Sequence, residues 1–147
     1  MHARDTCGWS PLHLGVGESS VEIAALLIAR GASVESTDDS GDMPLMAATI
    51  NQESDMVRLL VDGGGALVDA CDPDFYTPLI VAAGGPLTDD YREVMVALLD
   101  RNADCFRTTQ AGLSPLGNVN AVVGADDPAK LLLGHALTES LRRYVVL

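Results

Sequence analysis

Several groupings in this 147-residue chain have residue types and spacings that could do chemistry. Gly8-Trp9-Ser10 resembles the approach to a nucleophile elbow, but the second glycine of that motif is missing. His13, three residues on, could serve as a base or a metal ligand. Gly15-Val16-Gly17-Glu18-Ser19-Ser20 resembles a piece of a phosphate loop, yet it lacks the third glycine and the lysine, and no strand precedes it. Asp38-Asp39, Asp89-Asp90 and Asp126-Asp127 are carboxylate pairs of the kind glycosidases use as acid and base. Each pair falls instead at a turn or a helix start, where acids cap free amides and complement the dipole. A Ca²⁺ loop needs interleaved acids, and Asp72-Pro73-Asp74 is too short to supply them. Cys7, Cys71 and Cys105, taken with His2 and His135, have no zinc spacing. The expectation is a chain with no catalytic residue, no metal and no cofactor.

Composition narrows the classes further. Hydrophobic residues make up 48% and charged residues 20%, the balance of a folded domain. Aromatics are only 4%, so the core must be built from Leu, Val, Ile and Ala. A net charge of −12 opposes binding to nucleic acid and to anionic lipid, because both need cations opposite their phosphates. The longest apolar run, Ile23 to Ala29, is far short of the roughly 20 residues a bilayer needs. The first residues lack the apolar stretch of a signal peptide. Together with an odd number of cysteines, that implies reduced thiols and an intracellular, cytoplasmic protein.

The elements that position these residues repeat along the chain. Pro11-Leu12, Pro44-Leu45, Pro78-Leu79 and Pro115-Leu116 lie 33, 34 and 37 residues apart. Ser10, Thr77 and Ser114 precede their prolines as helix N-caps, and proline is pre-set for the first helical position. Met43 breaks the pattern and gives up a side-chain cap. Ser10 therefore occupies a recurring structural slot. A short helix follows each proline. In the first unit a second helix runs from about Val21 to Ala29, with Ile23, Leu26 and Leu27 at helical spacing. Gly31 is placed to end it in the left-handed conformation, and Gly64 and Asn102 are matched to that place in the next two units.

The unit resembles an ankyrin repeat. Asp5-Thr6-Cys7-Gly8-Trp9-Ser10-Pro11-Leu12-His13 matches the first half of the family pattern, and Glu22-Ile23 through Leu26-Leu27-Ile28 and Gly31-Ala32-Ser33-Val34 match the second. The resemblance implies an all-α ankyrin-repeat solenoid of helix-turn-helix units joined by short β-turn connections. It would be one domain over 1–147, with repeats at about 5–37, 38–71, 72–108 and 109–147. It also implies that His13 hydrogen-bonds between neighbouring turns. Met46, Ile80 and Gly117 stand at that place in the later units, so no such network is expected beyond the first.

Departures from the pattern carry information. Unit two has one extra residue near Gly63-Gly64-Gly65. Unit three has Phe75 where the turn glycine belongs, and about four extra residues around Pro86 to Asp89, between its helices. Unit four loses the second-half pattern. A fresh start at Asp127-Pro128, with Leu133, Leu137, Leu141 and Val145 every four residues, predicts a closing helix that seals the array.

Ankyrin arrays bind partners through turn tips and first helices, and the resemblance carries this position by position. The slot two before each proline holds Trp9, Asp42, Tyr76 and Leu113. Asp39, Asn51 and Asp74 adjoin it, as do Ile50 and Gly84. Unit two carries seven acids against one Arg, and unit three seven against three. The expected function is non-catalytic binding of another protein, through an acidic, aromatic-edged groove suited to a basic segment. Trp9, Asp39, Asp42, Asn51, Asp74, Tyr76 and Leu113 are the expected contacts, on a monomer. The alternative expectation is a regulatory or inhibitory fragment of a larger multidomain protein. A third, a small enzyme with its site in the Gly84 to Asp90 insert, lacks a supporting motif.

Overall fold

The computed structural model describes residues 3–86 and 88–122, with positions 134, 136–138, 141 and 145. Between residues 11 and 122 the α-helices follow in the order α1 Pro11–Gly17, α2 Val21–Ala29, α3 Pro44–Ile50, α4 Ser54–Arg58, α5 Pro78–Gly84, α6 Asp89–Leu99 and α7 Pro115–Val122. Among the described residues no strand occurs. The helices pair as α1 with α2, α3 with α4 and α5 with α6, and α1, α3, α5 and α7 pack side by side in that order. This is the stacked helix-pair solenoid that the resemblance implies. The expected start of the closing helix, Asp127 and Leu133 included, lies outside the described residues, while Leu137, Leu141 and Val145 are helical.

Local chemistry explains how the first helix of each unit starts. The Ser10 hydroxyl accepts the His13 N–H, and the His13 ring accepts the Ser10 N–H at 3.2 Å, closing a capping box. Thr77 Oγ1 accepts the Ile80 N–H at 3.3 Å, and Ser114 Oγ accepts the Gly117 N–H at 3.1 Å. Met43 provides no side-chain cap for α3, as its residue type requires.

The turn tips are equally regular. Asp5, Asp38 and Asp72 each use Oδ1 to accept two backbone N–H groups, two and four residues on, at 2.8–3.0 Å. Thr109 Oγ1 takes the place of the carboxylate in unit four. Each tip then closes through a residue in the left-handed region: Gly8 at φ +75, Gly41 at +88, Phe75 at +65 and Gly112 at +78. A β-carbon in that region costs roughly 1–2 kcal/mol, which only the Phe75 tip bears.

The second helices end on left-handed residues too, and one of the expected assignments is wrong. Gly31 (φ +82) and Asn102 (φ +61) behave as expected, but in unit two the left-handed residue is Gly65 (φ +70). Gly64 stays right-handed at φ −95. The extra residue of unit two explains the shift. It is absorbed as a π-helical turn, Leu59–Gly63, in which the Gly64 N–H reaches back five residues to the Leu59 carbonyl at 3.1 Å. The closing bond then runs from Ala66 to Leu60, one residue longer than its counterparts from Ala32 to Leu27 and from Ala103 to Leu98.

The insert of unit three is also redistributed. α6 starts 13 residues before Asn102, whereas α2 starts 10 before Gly31. Most of the added length therefore forms almost one further helical turn, capped by Thr88, and little of it lengthens the link.

The core is aliphatic. Leu12, Leu45, Met56, Leu60, Leu79, Val94, Met95 and Leu98 are fully buried or nearly so, and Tyr91 is the aromatic that joins them. Polar contacts hold the repeats in register. Glu35 accepts the Leu67 N–H at 2.9 Å and Asp69 the Asp104 N–H at 2.8 Å, in equivalent places. Arg101 grips both carboxylate oxygens of Asp62.

Candidate partner-binding surface

The residues first considered for chemistry are engaged in structure. Ser10 Oγ lies 2.8 Å from His13 Nδ1, a separation a nucleophile and its base would have. Both residues are buried, however, and Nδ1 already accepts the Ser10 backbone N–H. That leaves Nε2 to donate to the Asp42 carbonyl at 3.0 Å, which ties the first turn to the second. Gly15 and Gly17 lie within α1, and Glu18 to Ser20 form the turn into α2, so the fragment that resembles a phosphate loop is a helix end and the link after it. Burial pushes the Cys105 thiol up to about 11, which keeps it protonated at neutral pH. Among the described residues no three side chains converge as metal ligands.

A cleft of about 450 Å³ lies between units two, three and four. Ile50 at the end of α3 comes from unit two, Tyr76 before α5 from unit three, and Leu113 and Asn118 from unit four. Ile80, Val81 and Gly84 of α5, Gly85 just after it and Tyr91 of α6 complete the lining. The added turn of α6 builds part of this wall. Tyr91 OH donates to the Ile50 carbonyl at 3.3 Å, and its ring lies so close over Gly85 that a β-carbon there would sit 2.6 Å from Cζ. Asn118 Nδ2 donates to the Ile80 carbonyl at 3.0 Å and abuts Gly84. The lining is aliphatic and aromatic with a few fixed polar groups, which suits an apolar side chain of a partner.

Of the seven expected contacts, the cleft brings together Tyr76 and Leu113. Trp9 is 38% exposed at unit one, against Gly17, and does not line it. Asn51 caps the end of α3, next to Ile50, and its amide donates to Glu53. Asp39, Asp42 and Asp74 lie along the tips of units two and three. Among the described residues, none of these three carboxylates accepts a hydrogen bond or forms a salt bridge. Sequence reasoning missed Ile80, Val81, Gly85, Tyr91 and Asn118. The signal for Tyr91 was the 37-residue proline spacing, which marks an insert but not its helical form.

Burial, with the carboxylates of Asp38 and Asp72 nearby, raises the Asp42 pKa above the usual aspartate range. The folded state thus holds the Asp42 proton more tightly than the unfolded chain does. Its ionised form costs stability above the folded pKa, and the cost disappears as pH falls through it. Asp42→Asn should therefore stabilise the protein at pH 7 by less than about 1 kcal/mol, given partial solvent screening. The advantage over wild type should close by about pH 3, where aspartates are protonated in both states. Urea midpoints at the two pH values check this.

A chain of stacked helix pairs with a concave apolar cleft is a helical-repeat solenoid, an architecture that serves interaction. Ankyrin repeats, in three copies, match residues 12–109, and the chain belongs to the ankyrin-repeat family. It is 43% identical over 44 residues to human protein phosphatase 1 regulatory subunit 27, which is 30% of this chain and 29% of that protein. It is 33% identical over 93 residues to human neurogenic locus notch homolog protein 4, covering 63% of this chain and 5% of that one. With protein fem-1 homolog C of Danio rerio it shares 34% identity over 70 residues, 39% of this chain and 11% of the relative. The chain thus spans less than a third of each of these relatives. Ankyrin repeats generally mediate protein–protein interaction. No helix among the described residues is long and apolar enough to cross a membrane.

Proposed function

We propose that this chain acts without catalysis, as an intracellular monomer that binds a basic segment of another protein along its concave side. The strip would run over Trp9, Asp39, Asp42, Asn51, Asp74, Tyr76 and Leu113. An apolar side chain of the partner enters the cleft between Tyr76 and Leu113, and its Lys or Arg neighbours face the acids of units two and three. The observation that carries this reading is an apolar cleft on a chain whose tip carboxylates Asp39, Asp42 and Asp74 are bonded to no cation among the described residues. The likeness to a regulatory subunit of protein phosphatase 1 supports a protein as partner.

A second reading, a regulatory or inhibitory segment of a larger multidomain protein, draws on the outer face of α2. Ile23 and Leu26 there are 49% and 57% exposed, apolar surface that a neighbouring element would cover.

The test selects a phage-displayed random peptide library against the chain and measures the enriched peptides at low and high salt. Peptides with Leu or Phe flanked by Lys or Arg are expected. The triple change Asp39→Asn/Asp42→Asn/Asp74→Asn should weaken them and flatten the salt dependence. Enriched peptides without basic residues, or a triple variant that binds like wild type, would sink the proposal.

A further inference from the structure

The tip of unit three holds a phenylalanine where the other tips hold glycine. Phe75 adopts φ +65, and Gly8, Gly41 and Gly112 occupy the same place in their turns. Glycine takes that conformation without steric cost, and a bulky side chain does not. The side chain gains no place in the core in return. The Phe75 side chain is 51% exposed and is neither part of the core cluster nor a wall of the cleft. Its N–H closes the turn on the Asp72 carbonyl at 3.1 Å, just as the glycines do in theirs.

The tip is also held rigidly. Asp72 Oδ1 fixes the amides of Asp74 and Tyr76 from within the turn. Pro73 packs so closely on Gly41 of the preceding tip that a β-carbon there would lie 2.8 Å from Pro73 Cδ. On the other side, the Gln110 side chain donates to the Pro73 carbonyl at 3.1 Å, and its backbone N–H to the Asp74 carbonyl at 3.4 Å. An exposed aromatic on a backbone pinned from both sides loses little freedom on binding. A strained aromatic that the fold leaves out of its core points to a role outside it.

We propose that Phe75 is a protruding anchor, which inserts into an apolar socket on a folded partner protein whose rim carries Lys or Arg opposite Asp74. The inference rests on the protein-binding reading above but departs from it in geometry. The cleft receives a side chain, whereas Phe75 delivers one. Charge complementarity selects the rim, because Asp74 is exposed beside Phe75 and no cation of this chain is bonded to it among the described residues.

The test introduces the photo-cross-linker p-benzoylphenylalanine at position 75 and, separately, at position 113 in the cleft. Extracts of the cells that make the protein are irradiated, and the cross-linked peptides are sequenced. A cross-link from position 75 to one defined site, apolar and flanked by Lys or Arg, is expected. With that partner purified, Phe75→Gly should weaken binding about 30-fold or more while raising the urea midpoint of the free protein. Opposite signs in the two readouts are the signature of a strained anchor. Cross-links from position 113 alone, unchanged affinity of Phe75→Gly, or a lower urea midpoint would each overturn the anchor and leave the cleft reading standing. Silence at both positions overturns both readings.

Discussion

Met56→Ala lowers the stability by about 2–5 kcal/mol, whereas Ile23→Ala, at the same slot one repeat earlier, costs less than about 1.5 kcal/mol. Both residues lie twelve positions after their repeat's proline. Met56 is fully buried, as is Val94 in unit three, but Ile23 is 49% exposed. The difference lies in what precedes each repeat. Unit one packs over α4, and unit two over α6, while nothing among the described residues packs over the outer side of α2. Truncating Met56 opens a cavity between two stacked helix pairs, where the surroundings relax only in part. Truncating Ile23 mostly trades exposed methyl groups for water. In a stacked array, stability is close to a sum of repeat and interface contributions, so the Met56 change also weakens the coupling of unit one to unit two. Urea unfolding measures both variants. Equal losses would mean that the outer face of α2 is covered in solution.

Features set by a few adjacent residues were legible in the sequence. The N-caps at Ser10, Thr77 and Ser114 need one acceptor and one proline in a row, and all three form as expected. The missing cap at Met43 was equally readable. Features that depend on where a longer segment absorbs an added residue were not. The extra residue of unit two could have lengthened a link, and the choice of Gly64 as the left-handed residue assumed an ordinary α-helix up to that point. Packing of Leu60 into the core instead holds the helix in register, and the slack appears as a π turn that moves the role to Gly65.

The same limit hid much of the cleft. Tyr76 and Leu113 were identifiable because the repeat places them in equivalent turns. Tyr91 was not, because its position over Gly85 depends on the insert continuing α6 backwards by almost a turn. Trp9 occupies the same repeat slot as Tyr76, yet it does not line this cleft. Phe75 was visible as a departure, and the backbone conformation imposed by its turn is what turns that departure into a cost.

Tyr76→Ala reduces affinity for a cleft-binding basic peptide about 30-fold, and Leu113→Ala about 10-fold, with the fold preserved. The first figure corresponds to about 2 kcal/mol, the level at which an aromatic interface residue counts as a hot spot. Tyr76 deserves the larger loss because an aromatic ring offers more contact area than an aliphatic side chain. Neither residue belongs to the core cluster, and Leu113 is 39% exposed, so truncation should cost stability far less than Met56→Ala does. The double variant should lose less than the product of the two factors, because both walls touch the same partner side chain. Trp9→Ala should leave a short cleft-binding peptide unaffected, since Trp9 contributes only to a segment long enough to reach unit one. Salt separates the contributions. The ratio of wild-type to Tyr76→Ala affinity should hold steady as ionic strength rises, because the lost contact is apolar. The triple aspartate variant should instead approach wild type at high salt, where its charges are screened in any case. Fluorescence polarisation with one peptide across a salt series reads all of these. Full affinity in Tyr76→Ala, beside a large loss in the triple variant, would make the surface an electrostatic one in which the cleft takes no part.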